Sequence, residues 1–92
     1  MGRALFVKIE RGVVPKEIFD RSIPAHLEYV RALRSEGRRV ETGYWAERGG
    51  GMMIFEADSL EEARAIVAGD PLVRDGCVEF ELHQWCCVAA GT

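Results

Sequence analysis

Ile23-Pro24-Ala25-His26-Leu27-Glu28-Tyr29-Val30 is the stretch on which the reading of the fold turns. At about 100° per residue, Ile23, His26, Leu27, Val30 and Leu33 share one face, so the segment reads as an amphipathic helix laid against a sheet. Ser22 stands where a cap is needed, and Pro24 suits a first-turn position. The helix is expected to run to about Glu36, where Gly37 offers a left-handed stop. One imidazole therefore lies among aliphatic side chains on a buried face, and a polar ring there requires a partner.

Upstream, residues 4–9 form a near-continuous apolar run of strand formers, which suits a central strand buried on both faces. Arg11-Gly12 ends it, and residues 13–21 connect it to the helix, with Pro15 opening a short helical turn. Downstream, residues 40–47 are rich in β-branched and aromatic side chains and read as a second strand. Arg48-Gly49-Gly50-Gly51 is a turn. It is not a phosphate loop, because it leads into a strand and no Lys-Ser/Thr follows.

Residues 52–57 read as a third strand, apolar on both faces and so central. Ser59-Leu60-Glu61-Glu62 is a capping box that launches a second helix, with Leu60, Ala63, Ile66 and Val67 on one side and Gly69 as its stop. Asp70-Pro71 is a fresh cap followed by a first-turn proline, starting one short turn that ends at Gly76. Residues 77–85 alternate. Val78, Phe80 and Leu82 face one way; Cys77, Glu79, Glu81, His83 and Trp85 face the other. Residues 1–92 form one domain, in which 86–92 are expected to be a loose tail.

The order βαββαβ implies two right-handed crossovers joined by a hairpin. That is the ferredoxin-like α+β plan, a four-stranded antiparallel sheet with both helices on one face. The other face is left bare, so a homodimer that covers it is expected. Each helix runs antiparallel to the strands beside it. The start of the first helix thus lies at the same end of the sheet as the finish of the second, and His26 is brought toward Asp70. A carboxylate beside an imidazole fixes its tautomer and raises its basicity, as general-base chemistry requires. Asp70 is also fully explained as a helix cap, and His26 as a core histidine bonded to a carbonyl. Tyr29, one position round the helix from the stripe, either reaches a pocket or packs.

The chain has 92 residues with 48% hydrophobic and 29% charged side chains and a net charge of −3. These are the proportions of an ordinary globular domain. Basic side chains are scattered among the acids, which argues against a nucleic-acid footprint. No apolar run approaches membrane-spanning length or forms a signal peptide, so no membrane partner and a cytoplasmic location are expected. Cys77, Cys86 and Cys87 are odd in number and lack the spacing of a disulfide framework or zinc site. Reduced thiols, and no metal or other cofactor, are expected.

Three segments carry a family resemblance. Arg21 through Leu33, with Pro24-Ala25-His26-Leu27 inside it, resembles the start of the YciI-like (YCII-related) family. Ser59-Leu60-Glu61-Glu62-Ala63 and Asp70-Pro71-Leu72-Val73 resemble its second half. The resemblance spans nearly the whole chain and implies a dimeric α+β barrel of ferredoxin-like subunits, with His26 and Asp70 at the family's His and Asp active-site positions. It also implies chemistry of the kind done by a related dehydrochlorinase acting on a chlorinated ring, or by muconolactone isomerase, whose fold is related. Two features depart from the pattern. Gly43 is followed by Tyr44 and Trp45 where the family often has Gly-Pro, so bulky aromatics reshape any pocket. Cys86 and Cys87 lie outside the motif.

The leading expectation is a small cofactor-independent lyase or isomerase, with His26 as base and Asp70 as its orienting partner. Tyr29, Tyr44 and Arg74 are candidate substrate contacts, with Arg11 as an alternative to Arg74 for an anion. The competing expectation is a non-catalytic dimeric module that binds a small ligand or assists another enzyme.

Overall fold

The computed structural model describes residues 3–47 and 49–89. Arg48 of the expected turn and residues 90–92 of the expected tail lie outside these. The elements are β1 (Ala4–Gly12), α1 (Lys16–Ser35), β2 (Val40–Tyr44), β3 (Gly50–Ala57), α2 (Leu60–Gly69), the short α3 (Pro71–Arg74) and β4 (Val78–Trp85). The strands form one antiparallel sheet in the order β2-β3-β1-β4, with the ferredoxin-like βαββαβ connectivity.

Register decides which side chains meet the helices. Phe6 stands opposite Phe55, and Lys8 opposite both Met53 and Leu82. Directly opposed residues share a sheet face. Phe6, Met53, Phe55 and Ala57 therefore meet Val30 and Leu33 of α1 and Ala63, Ile66 and Val67 of α2 in the main core. The Phe6 and Phe55 rings stack with centroids 6.0 Å apart. Burying each of these rings contributes roughly 2–3 kcal/mol. A second cluster of Leu72, Cys77 and Val78 packs against Phe19 and Ile23.

The first helix differs from its sequence reading. It begins at Lys16, with Pro15 at the N-cap and no side-chain cap, and carries Pro24 inside it. Ser22 is a buried interior residue whose hydroxyl donates to Asp75 at 2.9 Å. Starting at Pro15 brings Phe19 and Ile23 onto the second cluster. That burial outweighs the hydrogen bond lost at Pro24, where the ring leaves the Asp20 carbonyl without its donor. Cys77 precedes β4 and is sealed in the second cluster instead of lying beside Glu79, because the turn after α3 bonds its N–H to the Leu72 carbonyl at 2.9 Å.

The hairpin is tighter than expected. β2 stops at Tyr44, and the N–H of Trp45 donates to the Gly50 carbonyl at 2.9 Å. β3 extends back through Gly50 and Gly51, where a Cβ would collide with the carbonyls of Glu10 and Gly43 respectively. Only glycine lets the three backbones approach this closely.

Gly37 ends α1 at φ 83°, as its position suggests. Ser59 caps α2 as expected, accepting from the Glu62 N–H at 3.0 Å, but the Glu62 carboxylate takes the N–H of Asp58, one residue before the cap, at 2.8 Å, so only half of the expected box forms. Ser59→Ala is expected to lower stability by about 1 kcal/mol in urea melts. An unchanged midpoint would mean that the tertiary contacts of α2 hold its first turn without the cap.

The face of the sheet away from the helices is open. Leu5 and Val7 are half-buried there, and Ile9, Trp45 and Trp85 are exposed. The first strand is therefore sealed on one face only, because the helices cover one face only.

Candidate functional site

A polar seam crosses the core beneath the helices. Pro71 and the turn after α2 aim the Asp70 side chain inward, and α1 delivers His26 from above. Asp70 is fully buried and His26 is 5% exposed. His26 Nδ1 lies 2.9 Å from Asp70 Oδ1. A carboxylate only accepts, so Nδ1 carries the proton and donates. In the neutral ring Nε2 then holds the lone pair; it lies 3.2 Å from the Thr42 hydroxyl on the edge strand β2.

Asp70 has three donors. Besides His26, the Leu72 N–H reaches Oδ1 at 3.0 Å, which makes Asp70 the N-cap of α3. Lys8 Nζ donates to Oδ2 at 2.7 Å. Lys8 is itself fully buried, and its ammonium also meets Glu10 Oε1 at 2.7 Å. Thr42, His26, Asp70, Lys8 and Glu10 thus form one continuous chain of contacts drawn from β2, α1, the α2–α3 junction and β1.

Burial, the largest single influence on Asp70, opposes its ionised form. The hydrogen bond from His26, together with the charge and hydrogen bond of Lys8, outweighs burial and holds the pKa down at about 2, from an ordinary 3.8. Because the folded value lies below the unfolded one, the resulting stabilisation is fully present above about pH 4 and lost as pH falls toward 2. Acid unfolding followed by circular dichroism is expected to show this loss, and Asp70→Asn to remove it from that window. An identical acid profile in the variant would assign the loss to other carboxylates.

The remaining sequence candidates lie elsewhere. The Tyr29 phenol donates to the Ile66 carbonyl at 2.8 Å and lies where a Cβ on Gly69 would go. Burial, and then the Asp70 charge, pushes its pKa upward. Tyr44 is 88% exposed at the hairpin. Arg74 is exposed, 3.7 Å from its neighbour Asp75, and Arg11 pairs with Glu79 across the open face. Among the described residues, none of these four hydrogen-bonds to the seam. No group of three or more His, Cys, Asp and Glu side chains among them is gathered to share a metal ion.

Sequence reasoning passed over Lys8, Glu10 and Thr42. Lys8 had a signal, as the one cation inside an apolar strand, two residues from Phe6 and so on its face.

Among the described residues, two surface depressions measure about 690 and 190 Å³. Ile9, Arg11, Trp45 and Glu81 line the larger one, with Glu10 at its wall. Tyr44, Trp45, Met52 and Ile54 line the smaller one, with Thr42 at its wall. Neither is lined by His26 or Asp70. Both take their lining largely from the open face, with Ile9, Arg11, Met52 and Ile54, whereas the seam lies on the helix side of the sheet.

Solved structures share the fold. The 5-chloro-2-hydroxyhydroquinone dehydrochlorinase TftG from Burkholderia phenoliruptrix AC1100, in complex with 2,5-dihydroxybenzoquinone, superimposes with a TM-score of 0.69. The match covers 89% of this chain and 93% of that one at 21% identity, a likeness of fold alone. The de novo designed protein Ferredog-Diesel superimposes with a TM-score of 0.59 at 17% identity, over 91% of this chain and 87% of its own. In sequence, the uncharacterised protein YjpA of Bacillus subtilis (strain 168) is 38% identical over 63 residues, which cover 68% of this chain and 74% of YjpA. The model of the YCII-related domain matches residues 1–85, and this chain belongs to that family.

Proposed function

We propose that the chain is a small cofactor-independent acid–base enzyme, a lyase or isomerase, acting on a small oxygenated ring. The observation that carries this reading is the arrangement of His26. Asp70 holds Nδ1, and Nε2 faces a hydroxyl on the edge strand. The base takes a hydroxyl or carbon proton made acidic by conjugation, and Asp70 stabilises the imidazolium that forms. Similarity of fold to a dehydrochlorinase suggests which rings to try, though fold alone does not carry an activity.

A homodimer working in the cytoplasm completes the reading. A second copy over Leu5, Val7, Ile9, Met52, Ile54 and Trp85 would cover the open face and roof both depressions. Such an interface should bury on the order of 2,000 Å² in total. Light scattering is expected to give a dimer at micromolar concentration, and a stable monomer there would remove this part of the proposal.

A second reading is favoured by the near-complete burial of His26 and Asp70. In it the chain binds a ring in a depression without turning it over, and the seam is structural. One experiment separates the two. The protein is incubated with 5-chloro-2-hydroxyhydroquinone, chloride release is followed, and binding of 2,5-dihydroxybenzoquinone is measured by calorimetry. Chloride release that depends on His26 supports the enzyme. Binding without release supports the module. Neither event removes this class of ring from both readings.

A further inference from the structure

Lys8 occupies a position where stability alone would place an apolar side chain. It lies in the central strand β1, opposite Met53 and Leu82, with no exposed surface. Burying an ammonium costs several kcal/mol after relaxation, and an apolar residue of similar volume in place of a buried ion pair is often neutral or stabilising. A cation kept there against that cost marks a role in setting the state of its partner.

We infer that Lys8 is the positioning residue of this site: its ammonium fixes Asp70 as the anionic partner of His26, and Glu10 holds the ammonium from behind. The importance of this role rests on the acid–base reading above. The geometry leaves the carboxylate one arrangement. Lys8 occupies Oδ2, while His26 and the Leu72 N–H share Oδ1. The groups facing Asp70 are Lys8 with Glu10 behind it from β1, and His26 and Tyr29 from α1. Lys8 and His26 are the two that favour its charge.

Without the ammonium, His26 alone opposes burial and the neutral carboxyl gains weight. A carboxyl carries an O–H and can donate to Nδ1, and the ring proton then belongs on Nε2. That tautomer has no lone pair toward Thr42. Lys8 thus biases the ring toward the tautomer whose lone pair is on Nε2, although it does not touch the imidazole.

The test is an NMR titration of the Asp70 carboxyl carbon, with the nitrogen shifts of His26 read in parallel to report its tautomer. In Lys8→Met the Asp70 midpoint is expected to rise by more than a pH unit, and the proportion of Nε2-protonated ring to increase. In Glu10→Gln the midpoint is not expected to rise, because Lys8 then gives its whole charge to Asp70. An unchanged midpoint in Lys8→Met, or an equal rise in Glu10→Gln, overturns the assignment.

Should Lys8→Met not fold, the wild-type protein decides. Its Lys8 ammonium protons are expected to be protected from exchange and to correlate through the hydrogen bond with the Asp70 carboxyl carbon. Exchange at the solvent rate overturns the assignment. None of these readouts needs turnover. A protein that converts no ring sinks the enzyme reading and leaves Lys8 standing, whereas turnover with an unmoved titration does the reverse.

Discussion

Asp70→Ala is expected to destabilise the protein by about 3–5 kcal/mol, the cost of breaking a buried ion pair by removing one partner. The carboxylate accepts from Lys8, from His26 and from the Leu72 N–H, all three of them inside the core. Truncation leaves an ammonium under the helices with Glu10 alone, frees the imidazole N–H and uncaps α3. For a domain of this size the loss is a large part of the total stability. Asp70→Asn retains the cap and a group that accepts from His26 but turns amide N–H donors toward the Lys8 ammonium, so it should cost less than alanine only by the cap and that one hydrogen bond. Urea unfolding at neutral pH measures both. A loss of under about 1 kcal/mol in the alanine variant would mean that water or a side-chain rearrangement satisfies Lys8.

His26→Gln is expected to lower turnover of any ring the protein converts by about a hundred- to ten-thousandfold, the usual contribution of a positioned general base. Glutamine can still hydrogen-bond toward Asp70 or Thr42, but it offers no basic lone pair at neutral pH. The fold should survive, so binding of 2,5-dihydroxybenzoquinone should change far less than chloride release. Equal turnover in the two proteins would remove His26 from the chemistry.

The meeting of His26 and Asp70 is legible in the sequence because it follows from topology. Two crossovers in a βαββαβ chain force the start of one helix and the end of the other to the same end of the sheet. Lys8 is harder to read. Strand periodicity puts it on the Phe6 face beside Glu10, a counter-charge two residues away, but the partner that ties it to the site, Asp70, lies 62 positions along the chain. Thr42 is hidden for a related reason, since a threonine on an edge strand is expected there for its β-propensity alone. The helix start misleads because Ser22 and Pro24 together imitate a cap and a first turn. The apolar side chains Phe19 and Ile23, which pull the helix back to Lys16, find their partners only in the distant Leu72–Val78 segment. Tyr29 sits beside the seam, but the carbonyl its phenol selects belongs to the other helix.

Pro24 has a consequence for how the molecule opens. It divides α1 between two supports. Phe19 and Ile23 lean on the cluster of Leu72, Cys77 and Val78, whereas Tyr29, Val30 and Leu33 lean on the main core. Missing one rung of its ladder, the helix is least cooperative at the boundary, and His26 stands two residues beyond it. The two halves are expected to open as separate units in native-state hydrogen exchange, the first, held by the smaller cluster, at lower free energy. When it releases, the imidazole gains an approach to solvent while Lys8 stays anchored in the sheet. A histidine closed over in the resting fold would then be reached through partial unfolding of one helical arm, at the frequency with which that arm opens.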